Sequence, residues 1–157
     1  MDVKYINPFI NSVVSTLEMM LGETPKRKTP YLKVGKATEG DITGLIGFAE
    51  KNVTGSVALS FPTATAIHVY NIMTGEHTAR INREVQDSIG ELANIVAGGA
   101  KTELAKEGCS FHISIPTVIV GKNHAISHKV DTPVVVIPFT LNDLGFIMEV
   151  TLKVSRK

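Results

Sequence analysis

Phe9, Ile10, Val13, Val14, Leu17, Met20 and Leu21 recur at the spacing that gathers side chains on one side of an α-helix. Asn7 and Pro8 supply a cap and first-turn pair, so the spacing predicts a first helix from there to a stop at Gly22. Extended segments follow at Tyr31 to Gly35, Thr43 to Glu50 and Val53 to Phe61, punctuated by Gly, Asp, Lys and Asn, and are expected to form a meander. Pro62 opens an amphipathic stretch through Met73, with Ala64, Ile67, His68 and Ile72 to one side; Thr74, Gly75 and Glu76 end it.

The longest periodic segment runs from Asn82 to Glu107. Val85, Ile89, Leu92, Val96, Ala100 and Leu104 form its apolar stripe, and Gly108 stops it. Three strand candidates come after it, Cys109 to Val120, Ile126 to Phe139 and Gly145 to Val154, separated by Gly-Lys-Asn and Asn-Asp turns. Helix, three strands, two helices and three strands do not alternate as a parallel α/β fold requires. The expected architecture is therefore α+β, a single domain over residues 1–157 with an antiparallel sheet of about six strands against about three helices. Long final strands leave an edge that a second copy can extend, which makes a homodimer the expected assembly.

Composition narrows the function. The 157 residues are 43% hydrophobic and 20% charged, an ordinary balance for one globular domain. Sixteen basic residues against fifteen acidic ones give no global field for nucleic acid or anionic lipid. Lys26, Arg27 and Lys28, between Pro25 and Pro30, read as a solvated connection too short for a nucleic-acid site. The densest apolar run, Val134 to Phe139, is broken by Pro138 and falls far short of the roughly 20 residues that span a bilayer. A lone Cys109 and an N-terminus without secretory character point to a reducing, cytoplasmic setting.

Chemistry concentrates on the longest helix. Glu84, Asp87, Glu91, Asn94, Gly98 and Thr102 lie opposite its apolar stripe, as any solvated face would show. Asn94 is nonetheless a poor mid-helix residue, and Gly90, Gly98 and Gly99 each cost up to about 1 kcal/mol relative to alanine. Ile95 adds an apolar side chain beside Glu91 and Asn94. Glycines that admit a close partner and an isoleucine that it can cover suggest a docking face.

The segment Asp87-Ser88-Ile89-Gly90-Glu91-Leu92-Ala93-Asn94-Ile95-Val96-Ala97-Gly98-Gly99-Ala100-Lys101 resembles the signature helix of the CheC/CheX/FliY phosphatases, and CheX-type chains most. The Tyr5-Ile-Asn-Pro-Phe-Ile10 start, the Met20-Leu21-Gly22 end and the Pro30-Tyr31-Leu32 strand extend the resemblance over nearly the whole chain. It implies action on a phosphorylated CheY-like receiver domain. CheC-type relatives usually carry Glu-x-x-Asn on two helices; here it occurs once, since Glu18 is followed three residues on by Leu21. A single motif per chain is similar to CheX, which works as a homodimer. Glu91 and Asn94 are thus the expected catalytic residues, and Glu91, Ile95 and Gly98 the expected partner contacts. Glu91 would pair with a receiver lysine, and Asn94 would orient the attacking water. Phosphoryl transfer suits such a device, because positioning and charge stabilisation supply most of the catalysis. No cofactor of its own is expected, and magnesium would belong to the phosphorylated partner.

Other readings carry less. Glu84, Asp87 and Glu91 share a face and would suit a divalent metal, but no second set of acidic ligands stands elsewhere in the sequence. His124 and His128 read as satisfied or solvated rather than zinc-binding, and Cys109 as a small buried residue. His68, His77 and His112 have no triad-like neighbours, and Ser88 lacks a nucleophile elbow. A non-catalytic module that uses the same helix to bind a receiver or a flagellar-switch component stays open.

Overall fold

The computed structural model describes residues 3–35, 40–128 and 132–155. Its elements are α1 (Val3–Leu21), β1 (Lys26–Arg27), β2 (Tyr31–Leu32), β3 (Ile42–Glu50), β4 (Val53–Phe61), α2 (Thr63–Thr74), α3 (Arg83–Lys106), β5 (His112–Ile113), β6 (Thr117–Val120), β7 (Val135–Leu141) and β8 (Leu144–Val154). The α+β expectation holds. The six strands β1-β7-β8-β4-β3-β5 are hydrogen-bonded in that order, with β2 also on β7 and β6 also on β3, all antiparallel.

Alternation decides which face is covered. Ile42, Ile46 and Phe48 of β3, Val57, Leu59 and Phe61 of β4, and Phe146, Met148 and Val150 of β8 are buried on the helix side. Two aromatic groups fasten the layers: Phe61, Phe146 and Phe139 stack across the sheet, and Phe9 of α1 meets Phe48, which meets Phe111. Asn142 and Asp143 close the β7–β8 hairpin with φ of 47° and 67°, the left-handed pair that a two-residue primed turn needs. Asp41 holds the start of α2 from another part of the chain, accepting from Thr63 N at 2.9 Å and from Thr63 Oγ1 at 2.8 Å.

Several local expectations change. The first helix includes Val3 to Asn7, and Pro8 sits inside it; Ile6, Pro8 and Phe9 are all buried, so packing carries the helix through the proline. Tyr31–Leu32 does not join a meander with β3 and β4 but pairs with Val135 and Val136 of β7. Lys26–Arg27, expected as connection, forms a short strand on Thr140 and Phe139 with its side chains still exposed. The expected strand from Ile126 to Phe139 is regular only from Val135, and its residues 129–131 lie outside the described residues. The long final strand is interior, between β4 and β7, and the outer side of β7 is occupied by β1 and β2. A free edge on that flank is therefore supplied by short strands of the N-terminal half.

Candidate functional site

α3 begins where Asn82 accepts from Val85 N at 2.9 Å, a side-chain cap that anchors the helix frame. All six residues of the expected stripe are buried, joined by Gly90, Ala93 and Ala97. Burial on so wide an arc fixes the rotation of the helix. What remains outward is Glu84, Asp87 and Glu91, exposed, with Asn94, Ile95 and Gly98 half-buried.

The glycines divide by direction. A Cβ on Gly99 would overlap Ser12 Oγ of α1, and one on Gly90 would stand 3.0 Å from Val118 Cγ2 of β6. Gly90 is buried and serves inward packing, while Gly99 is exposed but has the direction of a side chain taken by α1, which corrects the expectation that both leave room for a partner. Only Gly98 of the three has open space in front of it. Gly44 of β3 adds a further close approach, since a Cβ there would lie 2.9 Å from Ala93 Cβ and 3.0 Å from the Ile89 carbonyl oxygen. Ser12 Oγ, buried, donates to the Val96 carbonyl oxygen at 2.8 Å. Sheet and α1 thus clamp α3 just beneath and just beyond Asn94.

Among the described residues no hydrogen bond or ion pair engages the side chains of Glu91 and Asn94, while Thr102 Oγ1 is turned onto the Gly98 carbonyl oxygen at 3.1 Å. An i, i+3 pair brings two Cβ atoms within about 5–6 Å on one face, so a carboxylate and an amide are presented together. They can accept from a cation and from a water respectively, without competing internal partners.

The remaining candidates are settled by other contacts. No group of three His, Cys, Asp or Glu side chains comes together among the described residues, so Glu84, Asp87 and Glu91 do not converge. His124 Nε2 meets Thr43 Oγ1 at 2.5 Å and its Nδ1 meets the Gly121 carbonyl oxygen at 2.8 Å. His128 pairs with Ser56 and with Glu149 Oε1 at 3.1 Å. Both histidines are satisfied, by different neighbours. Cys109 is buried, which pushes its thiol pKa up and suits a packing residue.

Sequence reasoning missed a buried charged group on the other side of the sheet. Glu149 of β8 is 0% exposed and bound to Lys33 Nζ at 2.7 Å, with Lys33 also donating to the Ile126 carbonyl oxygen at 2.6 Å. Burial alone would raise the Glu149 carboxyl, but hydrogen bonds from His128 and Lys33 outweigh it and hold the pKa below the ordinary 4.5. A lone glutamate at a polar alternation position gives no hint of this, because its partners lie far away in sequence.

The site is thus an outward face on a clamped helix, with the Glu91 and Asn94 side chains unengaged among the described residues. The family described as "Chemotaxis phosphatase CheX" matches residues 42–140. A Thermotoga maritima protein named "CheY-P phosphatase CheX" is 30% identical over 124 residues, 78% of this chain and 79% of that protein. Among solved structures, a CheC-like superfamily protein from Shewanella sp. PV-4 superposes with a TM-score of 0.93 at 36% identity, covering 98% of this chain and 99% of that one. The CheX of a CheX–CheY–BeF3–Mg2+ complex from Borrelia burgdorferi gives a TM-score of 0.81 at 28% identity, covering 95% and 97%. This chain belongs to the chemotaxis phosphatase CheX family.

Proposed function

We propose that this protein hydrolyses the aspartyl phosphate of a CheY-type response regulator, with α3 entering the receiver's active site. The observation that carries the reading is the pairing of exposed Glu91 with half-buried Asn94, both without internal partners, on the clamped helix of a CheX-family chain. Glu91 binds a receiver lysine. Asn94 accepts a hydrogen bond from a water and aligns its oxygen with phosphorus, opposite the aspartate oxygen. The P–O bond to aspartate breaks, leaving a carboxylate and inorganic phosphate. Asparagine fits here because an uncharged amide does not repel the phosphoryl oxygens as a carboxylate would. A hundredfold acceleration requires only about 2.7 kcal/mol, within reach of one positioned water.

Ile95 and Gly98 complete the contact: one gives the receiver an apolar surface to cover, and the other leaves space for its backbone. Magnesium belongs to the receiver, in keeping with the Borrelia complex of CheX with CheY, BeF3 and Mg2+. The cytosol is the corresponding compartment, and no described helix is long and apolar enough to cross a membrane. The working unit is a homodimer. Exposed Tyr31 and Leu32 on the outermost strand of one flank, with exposed Val34 beyond them, supply apolar edge area for a second copy.

The test is turnover of phosphorylated receiver at substoichiometric protein, with binding measured in parallel on beryllofluoride-loaded receiver. Asn94→Ala is expected to abolish turnover and leave binding largely intact, because it removes an interaction made chiefly in the transition state. Glu91→Ala should weaken both, by about 2–5 kcal/mol where the receiver's cation is left buried. Near-normal turnover by Asn94→Ala refutes the mechanism. Binding without turnover by the unmodified protein identifies a non-catalytic module instead.

A further inference from the structure

The edge strand beside α3 contains one residue too many. β5 pairs Ile113 with Phe48, and β6 pairs Thr117 with Leu45, so this edge advances four residues while β3 advances three. Ser114 still matches Gly47, donating to its carbonyl oxygen at 2.9 Å and accepting from its N–H through Oγ at 2.9 Å. Ile115 and Pro116 together therefore oppose Ile46. Two residues against one is a β-bulge, a feature that bends an edge strand and re-aims a side chain. The continuous strand expected from Cys109 to Val120 is broken at this point, where Pro116 has no N–H for the ladder.

The bulge decides which residue faces the core. Ile46, opposite it, is fully buried under the helices. Pro116 takes the matching inward place, its Cβ and Cγ each 3.8 Å from where a Cβ on Gly90 would stand. Ile115 is left over. It is 85% exposed, although its backbone is held by Ser114, whose Oγ also donates to the Ile115 carbonyl oxygen at 3.0 Å. A strand without the extra residue would have had no isoleucine to expose.

The location gives that exposure a use. Gly90 immediately precedes Glu91, and Asn94 follows it by four residues, about 40° further round the helix and one turn on. α3 and β6 pack side by side, and the bulge sits at the Gly90 level of α3. A macromolecule that covers Glu91, Asn94 and half-buried Ile95 reaches the rim of the sheet next. There it meets an apolar side chain on an ordered backbone, which a contact can bury without first having to fix the segment.

We infer that Ile115 is a contact residue for the phosphorylated receiver domain, an apolar second point of attachment beside α3; the inference rests on the function proposed above. It acts on capture rather than on the reacting atoms. Ile115→Ser is therefore expected to raise KM, and to weaken binding of beryllofluoride-loaded receiver, by about tenfold, with kcat unchanged. Ile115→Leu should restore most of the loss. Because the side chain is exposed, thermal unfolding of both variants should match the parent. Unchanged affinity in Ile115→Ser overturns the inference, as does a fall in kcat with affinity intact. Should the parent bind the loaded receiver without turning over its phosphate, the binding arm still reads Ile115 while the phosphatase reading fails. Should it bind no receiver at all, both fall.

Discussion

Replacing Gly99 by alanine tests whether the contact with α1 sets the position of α3. The new methyl would overlap Ser12 Oγ, which is buried and committed to the Val96 carbonyl oxygen at 2.8 Å. Ser12 cannot turn away without giving up that bond. Overpacking of this kind costs about 1–3 kcal/mol, while Gly to Ala inside a helix returns about 1 kcal/mol, so a net loss near 1 kcal/mol is expected. Ser12→Ala alone should cost about 1 kcal/mol for its hydrogen bond. In that background the clash disappears, because the remaining Ser12 Cβ would sit 3.4 Å from the added methyl, an ordinary contact. Gly99→Ala should then gain about 1 kcal/mol from propensity alone. The sign of its effect reverses between backgrounds, a coupling of about 2 kcal/mol, to be read from urea midpoints at constant m-value. An effect of Gly99→Ala that agrees within about 0.5 kcal/mol in both backgrounds would refute the reasoning. The clash also carries a functional consequence: Asn94 lies five residues upstream on the same helix, and a displacement of about 1 Å can cost about a hundredfold in rate. Gly99→Ala should therefore lose turnover that the double variant recovers.

Two further predictions follow from the far side of the molecule. Glu149→Gln should cost about 3–5 kcal/mol at neutral pH, since it leaves Lys33 buried without its carboxylate. Because the folded-state pKa of Glu149 is depressed, its contribution is present above the ordinary 4.5 and is lost as pH falls through the lower folded value. Urea titrations from pH 7 down to acid should show the parent losing that margin and Glu149→Gln lacking it; parallel pH profiles would exclude Glu149 as the source. For the assembly, sedimentation at micromolar concentration should give a dimer mass that Leu32→Lys lowers toward the monomer, and a monomeric parent would remove the edge-pairing reading.

The central helix was legible in the sequence because its apolar positions repeat from Val85 to Leu104, through about five turns, and a stripe so long admits one rotation only. Glu91 and Asn94 fall on the outward face for the same reason. The glycines beside them were only half legible. Their lack of a side chain signals a close neighbour, but the sequence does not say on which side, and for Gly90 and Gly99 the neighbour is the protein itself. The pairing of β2 was beyond reach for a different reason: two residues hold too little alternation to choose a register, so Tyr31 and Leu32 follow whichever edge the chain passes. Pro116 lies inside the single strand expected from Cys109 to Val120 and is the interrupter that expectation passed over. That it takes the inward place and leaves Ile115 outside depends on counting residues against β3, which requires the pairing itself.

Glu149 shows most clearly how local pattern and tertiary setting separate. Along β8, Phe146, Met148, Val150 and Leu152 alternate with Ile147, Glu149 and Thr151, which by period alone assigns the second set to solvent. Yet Glu149 and Thr151 are fully buried, because Lys33, Ile126 and His128 bring the segments after β2 and β6 across that face. Covering a sheet face with loops rather than helices demands partners for every polar group left beneath, and the cluster meets that demand: no buried side-chain nitrogen or oxygen among the described residues lacks a hydrogen bond. The consequence for function is a division of labour between faces. One side of the sheet carries apolar packing that fixes α3, with Glu91 and Asn94 on its outward face. The other holds Glu149 in a closed network with Lys33 and His128, whereas Glu91 and Asn94, on one face of α3, have no hydrogen-bond or ion-pair partner among the described residues.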